Sequence, residues 1–225
     1  MTSMRVSTML LKASTLFADL PETTLEEIAE GAQRQIVARG GTIAFAGETP
    51  QHLFIVVSGV AHAVVTDSAR NQVILSTFKA GDHFCDAELL EDSALTASVV
   101  ARKCCEVVMI AKSTFKDLVA RYSALSLALI RILNKRVRTA DNRFGSIALK
   151  GLDARLADFL LCEAQVVDGT RVVGTHLTKR DIGRMIGASR EGVSRAMKDL
   201  RTRGYLEQRG KSIVLREHIV NLAAR

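Results

Sequence analysis

Residues 178–210 constrain the fold of this chain more than any other segment, because they predict two short helices joined by a glycine turn. Thr178 and Asp181 match the Ser/Thr-x-x-Asp/Glu capping pattern, in which each side chain satisfies a backbone donor at a helix start. Gly187 supplies the left-handed conformation that commonly ends a helix, and Ser189 is suited to cap the next one. The segment is therefore predicted to be a helix-turn-helix.

The second helix of this motif places apolar residues on one face and polar or basic residues on another. Side chains near the start of such a helix reach base edges in the DNA major groove, where arginine binds guanine and glutamate accepts from cytosine. Arg190, Glu191 and Arg195 are therefore predicted to contact bases in sites rich in G·C pairs. Contacts to the phosphate backbone, which position a protein without reading sequence, are predicted for Thr178, Lys179, Ser189, Ser194 and Lys198.

The residues after Gly204 predict two short strands around a Gly210-Lys211 turn, an arrangement similar to the wing of a winged helix. Charge is concentrated in the same region. Residues 171–216 carry 12 Lys and Arg against four Asp and Glu, a net charge of +8 that exceeds the +7 of the whole chain. A basic excess confined to one module is typical of a protein that binds the phosphate backbone of DNA.

The first half of the chain has a different character. Several short strands at near-regular spacing, separated by glycine turns, indicate a compact antiparallel sandwich or barrel. A short helix within residues 16–33 precedes them. The predicted strands are residues 42–45, 53–57, 61–65, 72–75, 97–101 and 105–110.

From Ser113 onward the apolar residues adopt a helical period for about thirty residues, with one narrow seam close to heptad spacing. A seam this long exceeds what a small β domain buries, so homodimerisation through the helix is predicted, with packing inside one chain as the alternative. A dimer would present two recognition helices to pseudo-palindromic half-sites about 34 Å apart. The predicted interface is Leu118, Tyr122, Leu125, Leu129, Ile132, Val137, Ala140 and Phe144.

These features together predict an α+β protein with three parts: a β-roll sensor domain (1–112), a dimerisation helix (113–148) and a winged helix-turn-helix domain (149–225). No apolar run is long enough to span a bilayer or to form a signal peptide, so a cytoplasmic protein without a membrane partner is expected. The four cysteines show no C-x-x-C pair, which predicts buried structural thiols rather than a metal site or a disulfide framework.

The order of β-roll, long helix and winged helix resembles the CRP/FNR family of bacterial transcription regulators over nearly the whole chain. The most specific matches are residues 189–195 and residues 79–84, which look like the recognition helix and the Gly-Asp-x-Phe strand entry of that family. The resemblance implies a cyclic-nucleotide-binding-like domain that holds an effector and a dimer helix that passes the signal to the DNA-binding domains. It also implies RNA polymerase as a partner if the protein is an activator.

The effector pocket implied by the resemblance departs from that of the cyclic-AMP-binding members. Those members have an arginine that neutralises the cyclic phosphate, and its absence here removes charge-assisted hydrogen bonds that a buried phosphate requires. An effector other than cyclic AMP, or none, is therefore expected. The positions that match the family's ribose, phosphate and adenine contacts are Cys85, Asp86, Leu95, Thr96, Ala140 and Asp141.

The sequence also argues against haem and an iron-sulfur cluster, two other cofactors of the family. A carbon-monoxide-sensing, haem-binding member has Phe-Cys where this chain has Phe84-Cys85, but Ala87 stands at its histidine position and His83 is expected at the surface. No cysteine precedes Cys85, which argues against the iron-sulfur cluster of oxygen-sensing members. The alternatives are thus a cyclic-nucleotide- or haem-responsive regulator, or a signalling module that does not bind DNA; no cofactor is assigned. No catalytic triad, paired carboxylates or metal-ligand spacing predicts an enzyme or a metal site.

Overall fold

Two antiparallel four-stranded sheets form the framework of the first part of the protein. The computed structural model describes residues 6–174, 177–210 and 212–223, in two compact units, residues 1–135 and 136–225. The sheets have the orders β1-β8-β3-β6 and β2-β7-β4-β5. Their strands are β1 (Gln33–Val37), β2 (Thr42–Ala44), β3 (His52–Ser58), β4 (Ala61–Thr66), β5 (Gln72–Phe78), β6 (His83–Phe84), β7 (Ser98–Ala101) and β8 (Cys105–Ala111).

The predicted β domain is confirmed, and all six predicted strands are present as β2, β3, β4, β5, β7 and β8. Two strands were missed. Strand β1 has polar residues at three of its five positions, and β6 has only two residues, so neither shows an apolar alternation in the sequence. Each of them pairs with a largely buried strand, β1 with β8 and β6 with β3. This pairing, rather than the local sequence pattern, stabilises their extended conformation.

In the described part of the first unit, the helices that belong to it wholly or partly are α1 (Thr8–Lys12), α2 (Glu22–Gly31), α3 (Asp86–Glu91), α4 (Lys112–Arg121) and α5 (Ser123–Leu149). The last of these continues into the second unit. The continuous helix predicted from Ser113 is in fact two helices, because Tyr122 adopts an extended conformation between them. Its hydroxyl lies 2.7 Å from the Thr24 hydroxyl on α2, so the break is anchored by a hydrogen bond.

The start of the predicted dimer seam is buried within its own chain. Leu118, Leu125 and Leu129 are at most 3% exposed and belong to the core of the β domain, and Tyr122 and Ile132 pack against that core. The assignment of Leu118, Leu125 and Leu129 to a dimer interface is therefore wrong, because the β domain covers this face of α4 and of the first turns of α5. Tyr122 and Ile132 are only half-buried, and their role in an interface stays a prediction.

The second unit contains a small antiparallel sheet with the order β11-β12-β10-β9, surrounded by helices. An Asp168-Gly169 turn joins β9 and β10 in a hairpin, and both of its residues have positive φ, as a type I′ turn requires. The two wing strands are also present, although Lys211 of their turn lies outside the described residues. The elements are α6 (Leu152–Glu163), β9 (Gln165–Val167), β10 (Thr170–Gly174), α7 (Lys179–Ile186), α8 (Arg190–Thr202), β11 (Leu206–Arg209), β12 (Ser212–Leu215) and α9 (Ile219–Ala223).

Within the described ranges, no helix combines the length and the apolar character that crossing a bilayer needs.

Candidate nucleic-acid interface and effector region

Helix α7 begins with the predicted capping box. The Thr178 hydroxyl accepts a hydrogen bond from the Asp181 amide at 3.2 Å, and the Asp181 carboxylate accepts from the Thr178 amide at 3.1 Å. The same carboxylate accepts the Thr178 hydroxyl proton at 2.7 Å and is itself 4% exposed. The start of α7 is therefore fixed by a satisfied local network, and the phosphate contact of Thr178 stays a prediction.

The turn between α7 and α8 depends on close backbone contact. Gly187 has φ 65° and ends α7 as predicted, and the Ala188 amide donates to the Gly183 carbonyl at 2.9 Å. A Cβ on Gly183 would lie 2.4 Å from the Ala188 carbonyl oxygen, so only glycine fits there. The glycine itself is the sequence signal for this position, because a glycine inside a helix costs about 1 kcal/mol relative to alanine and usually has a packing reason.

Helix α8 begins at the cap formed by Ser189, whose hydroxyl accepts from the Gly192 amide at 3.0 Å. Val193, Ala196 and Leu200 are buried on one side of this helix. Its N-terminus and its orientation are therefore set by the cap and by core packing, which leaves the opposite face without a structural role.

That opposite face carries the predicted base-contacting residues. Arg190, Glu191 and Arg195 are all exposed. Within the part of the chain that the structure describes, none of their side chains forms a hydrogen bond or an ion pair. Two predicted phosphate contacts meet beside them, where Lys179 Nζ donates to Ser194 Oγ at 2.9 Å. The exposed Lys198 lies on the same face. The structure thus brings these six side chains to one surface, which we call the α8 face.

Polar contacts also stabilise the two regions next to the α8 face, the end of α8 and the wing. At the end of α8, Arg203 donates to Asp199 at 2.9 Å and lies over the Tyr205 ring, 4.9 Å from its centroid. The bond to Asp199 raises the pKa of Arg203. In the wing, Glu207 binds both Arg209 and Arg216, and the hydrogen bond from Arg209 lowers the pKa of the Glu207 carboxyl.

The predicted effector residues are only partly brought together. Cys85 is buried with φ 71°, a left-handed conformation that a non-glycine residue rarely adopts, and Asp86 begins α3 at 1% exposure. Leu95 is buried, and its backbone bonds to Gly47 and Glu48. Thr96 is exposed. Ala140 and Asp141 are exposed on α5 in the other unit, so a pocket made from all six residues stays a prediction.

His83 was expected at the surface, and this expectation is wrong. Its side chain is 3% exposed, and its Nε2 lies 3.5 Å from Asp86 Oδ2. The short strand β6 pairs with β3 and takes His83 into the sheet, where the neighbouring Phe84 ring stacks on Phe54 with a centroid distance of 5.0 Å. The Asp86 carboxylate therefore faces a buried histidine.

The four cysteines, none of which is in a disulfide, divide into two buried and two exposed residues. The expectation of buried thiols holds for Cys85 and Cys105, and burial raises the pKa of Cys105. It is wrong for Cys104 and Cys162, which are exposed. Over the described ranges, no group of three or more His, Cys, Asp or Glu side chains is arranged to hold a metal ion.

An exposed apolar seam runs along α5 on the side opposite the β-domain core. Leu127, Ile130, Val137 and Phe144 are between 53% and 76% exposed. Together with Asn134 and Asp141 they follow each other at intervals of three and four residues, which is heptad spacing. Val137 and Phe144 were predicted for this role, whereas Leu127 and Ile130 were missed because the neighbouring Leu125 and Leu129 fit the same period.

Comparisons with known proteins agree with this arrangement. The model of the cyclic nucleotide-binding domain matches residues 34–122, and that of the Crp-like helix-turn-helix domain matches residues 154–218. The chain is 28% identical over 198 residues to the cAMP-activated global transcriptional regulator Vfr of Pseudomonas aeruginosa, covering 85% of this chain and 92% of Vfr. FixK2 from Bradyrhizobium japonicum has a similar structure, with a TM-score of 0.75 at 24% identity over 86% of this chain and 98% of FixK2. A CooA mutant from Carboxydothermus hydrogenoformans gives a TM-score of 0.78 at 18% identity over 99% and 96% of the two chains.

Proposed function

Because this chain belongs to the CRP/FNR family of transcription regulators, we propose that it acts in the cytoplasm as a homodimer that binds pseudo-palindromic DNA. The single observation that carries this proposal is the α8 face. Its side chains are exposed, except for the half-buried Ser194, while the cap and the buried side of α8 fix the helix in place. Such a preorganised helix face is what insertion into the major groove requires.

Within the α8 face, we assign base contacts to Arg190, Glu191 and Arg195, because they extend from the first two turns of the helix. Arginine binds guanine O6 and N7, and glutamate accepts from cytosine N4, so the half-site should contain G·C pairs. Lys179, Ser194 and Lys198 are assigned to phosphates, with Ser189 and Thr178 at the helix starts beside them. The bond between Lys179 and Ser194 holds two of these contacts at a fixed separation.

The seam on α5 supports the dimer. A surface helix that exposes four large apolar residues at heptad spacing gains stability when an equivalent seam covers it, which is the geometry of a parallel coiled coil. Two α8 helices related by a twofold axis would then meet half-sites about 34 Å apart. RNA polymerase is a further partner if the protein activates transcription.

For the effector, we propose a molecule other than cyclic AMP, or none. Relatives such as Vfr are named as cAMP-activated, but the carboxylate of Asp86 is buried against His83 and no cation stands at Leu95 or Thr96. A buried cyclic phosphate without a cation would lose its charge-assisted hydrogen bonds.

The DNA-binding proposal is tested with duplexes selected from a random pool by the parent protein and fluorescence anisotropy at fixed salt. Glu191→Ala and Arg195→Ala should each weaken binding by about 1–3 kcal/mol and relax preference at one base pair. Arg201→Ala, which removes an exposed charge from the last turn of α8, is the control and should keep the base preference.

Two outcomes would contradict these assignments. Unchanged affinity and selectivity in both Glu191→Ala and Arg195→Ala would remove the base contacts from the α8 face. A tightening of DNA binding by saturating cyclic AMP, added in the same assay, would overturn the effector proposal.

A further inference from the structure

A cavity of about 620 Å³ lies within the second unit, between the last turns of α5, helix α6 and the end of α7. This volume falls within the range of about 300–1,000 Å³ that is typical of small-molecule sites. Its apolar wall is formed by Ile147, Leu149, Phe159, Met185 and Ile186. We propose that this cavity binds a small monocarboxylic acid with an apolar body, a ligand distinct from any effector of the β domain.

Three cations line the cavity, Arg143, Lys150 and Arg155, and the last two differ in how their charge is neutralised. Lys150 Nζ donates to Asp158 Oδ2 at 2.7 Å and also to the Ala223 carbonyl, and the Ser146 hydroxyl donates to the same carboxylate. The charge of Lys150 is therefore balanced by an ion pair inside the protein.

Arg155 has no such carboxylate partner within the described residues. Its Nη1 donates to the carbonyl oxygens of Ile186 and Gly187, at 2.9 and 3.4 Å, which satisfies donors but leaves the positive charge. Its Nε is buried and finds no acceptor in the described ranges. A buried donor on a charged group is costly to leave unsatisfied, and a carboxylate accepts a charge-assisted hydrogen bond from guanidinium.

Charge in the cavity also limits the ligand. The lining has three carboxylates, on Asp141, Asp158 and Glu163, and three cations, Arg143, Lys150 and Arg155. The cavity has no excess positive charge, so it does not favour a ligand with several negative charges. One carboxylate on an apolar body matches both the guanidinium of Arg155 and the apolar wall.

The site adjoins the turn that precedes the recognition helix. The two carbonyls bound by Arg155 belong to the end of α7 and to Gly187, and Arg155 Nη1 lies 3.5 Å from the position of a Cβ on Gly187. A ligand carboxylate that pairs with the guanidinium charge of Arg155 therefore stabilises the side chain that holds this turn. By mass action, it also stabilises the folded unit.

The test uses dodecanoate below its micelle-forming concentration and follows the thiol of Cys162, which is exposed and lines the cavity. In a Cys104→Ser background the other two cysteines are buried, so a maleimide should label Cys162 alone. Saturating dodecanoate should slow this labelling at least fivefold, whereas dodecan-1-ol, which lacks the carboxylate, should change it less than twofold.

Arg155→Gln retains an amide donor for the Ile186 carbonyl but removes the charge and the Nε donor. It should raise the dodecanoate concentration for half-protection about tenfold, while a thermal melt of the variant reports whether it is folded. If Arg155→Gln does not fold, the chain offers a second reporter, because it contains no tryptophan. Phe159→Trp places the sole tryptophan in the cavity wall, and its emission should shift to shorter wavelength with dodecanoate but not with dodecan-1-ol.

Phe45→Trp, at an exposed position of the first unit, is the matched control and should show no shift. The proposal would be overturned if dodecanoate and dodecan-1-ol protected Cys162 from labelling equally. It would also be overturned if a folded Arg155→Gln variant had the half-protection concentration of the parent, or if the emission of Phe45→Trp shifted as much as that of Phe159→Trp. None of these measurements uses DNA, so they are independent of the function proposed above.

Discussion

Gly183→Ala should damage the helix-turn-helix although alanine is the better helix former. The new Cβ would lie 2.4 Å from the Ala188 carbonyl oxygen, whereas real Cβ contacts essentially never fall below 3.0 Å, so the turn must move by at least 0.6 Å. Ala188 directly precedes the cap residue Ser189, and its own amide bonds to the Gly183 carbonyl. The displacement therefore reaches the first turn of α8, where the base contacts are assigned.

The magnitude follows from two opposing terms. Overpacking of a tight contact costs about 1–3 kcal/mol, and the intrinsic gain from glycine to alanine in a helix is about 0.8–1 kcal/mol. We expect a net loss of up to about 2 kcal/mol in the free energy of unfolding, together with weaker binding to selected DNA. Gly145→Ala is the matched control, because Gly145 also lies inside a helix and a Cβ there meets nothing within 4 Å.

The assay is urea unfolding followed by circular dichroism, with the denaturant slope compared between variants. Gly145→Ala should be as stable as the parent or more stable by up to about 1 kcal/mol. If Gly183→Ala gained stability to the same extent and bound DNA normally, the close approach of α7 to the turn would not be a constraint on this fold.

Two further predictions concern the first unit and the α5 seam. Hydrogen bonds from Lys112 and Lys116 lower the pKa of Asp92 from 3.8 to about 2. Above pH 4 the parent should therefore have a larger free energy of unfolding than Asp92→Asn, and this difference should vanish as the pH falls through 2. Equal acid unfolding curves for the two proteins would contradict this coupling. Val137→Glu places like charges in the seam and should shift sedimentation velocity profiles toward monomer. Asp141→Leu extends the apolar seam and should shift the profiles toward dimer. The reverse order of the two variants would argue against the seam as the dimer contact.

The sequence predicted best those features that neighbouring residues determine. The capping box of Thr178 and Asp181, the left-handed Gly187 and the Ser189 cap all depend on backbone groups within a few positions, and all are present. Burial of His83 could not be predicted in this way, because it follows from the pairing of β6 with β3, some thirty residues away in the chain. Strand β1 was missed for the same reason, since its partner β8 lies about seventy residues away.

The seam on α5 shows why part of the predicted interface falls on residues that the protein buries in its own core. Leu125, Leu129 and Ile132 lie on one side of the helix, and Leu127 and Ile130 lie on the opposite side, because consecutive residues are rotated by about 100°. The first turns of α5 are thus apolar on two faces, and a periodicity argument has no means of choosing between them. The fold makes the choice, because the β domain buries one face and leaves the other exposed. The β domain covers one apolar face of α5, and the homodimer proposed above would cover the other, because a second copy of the chain carries a matching seam.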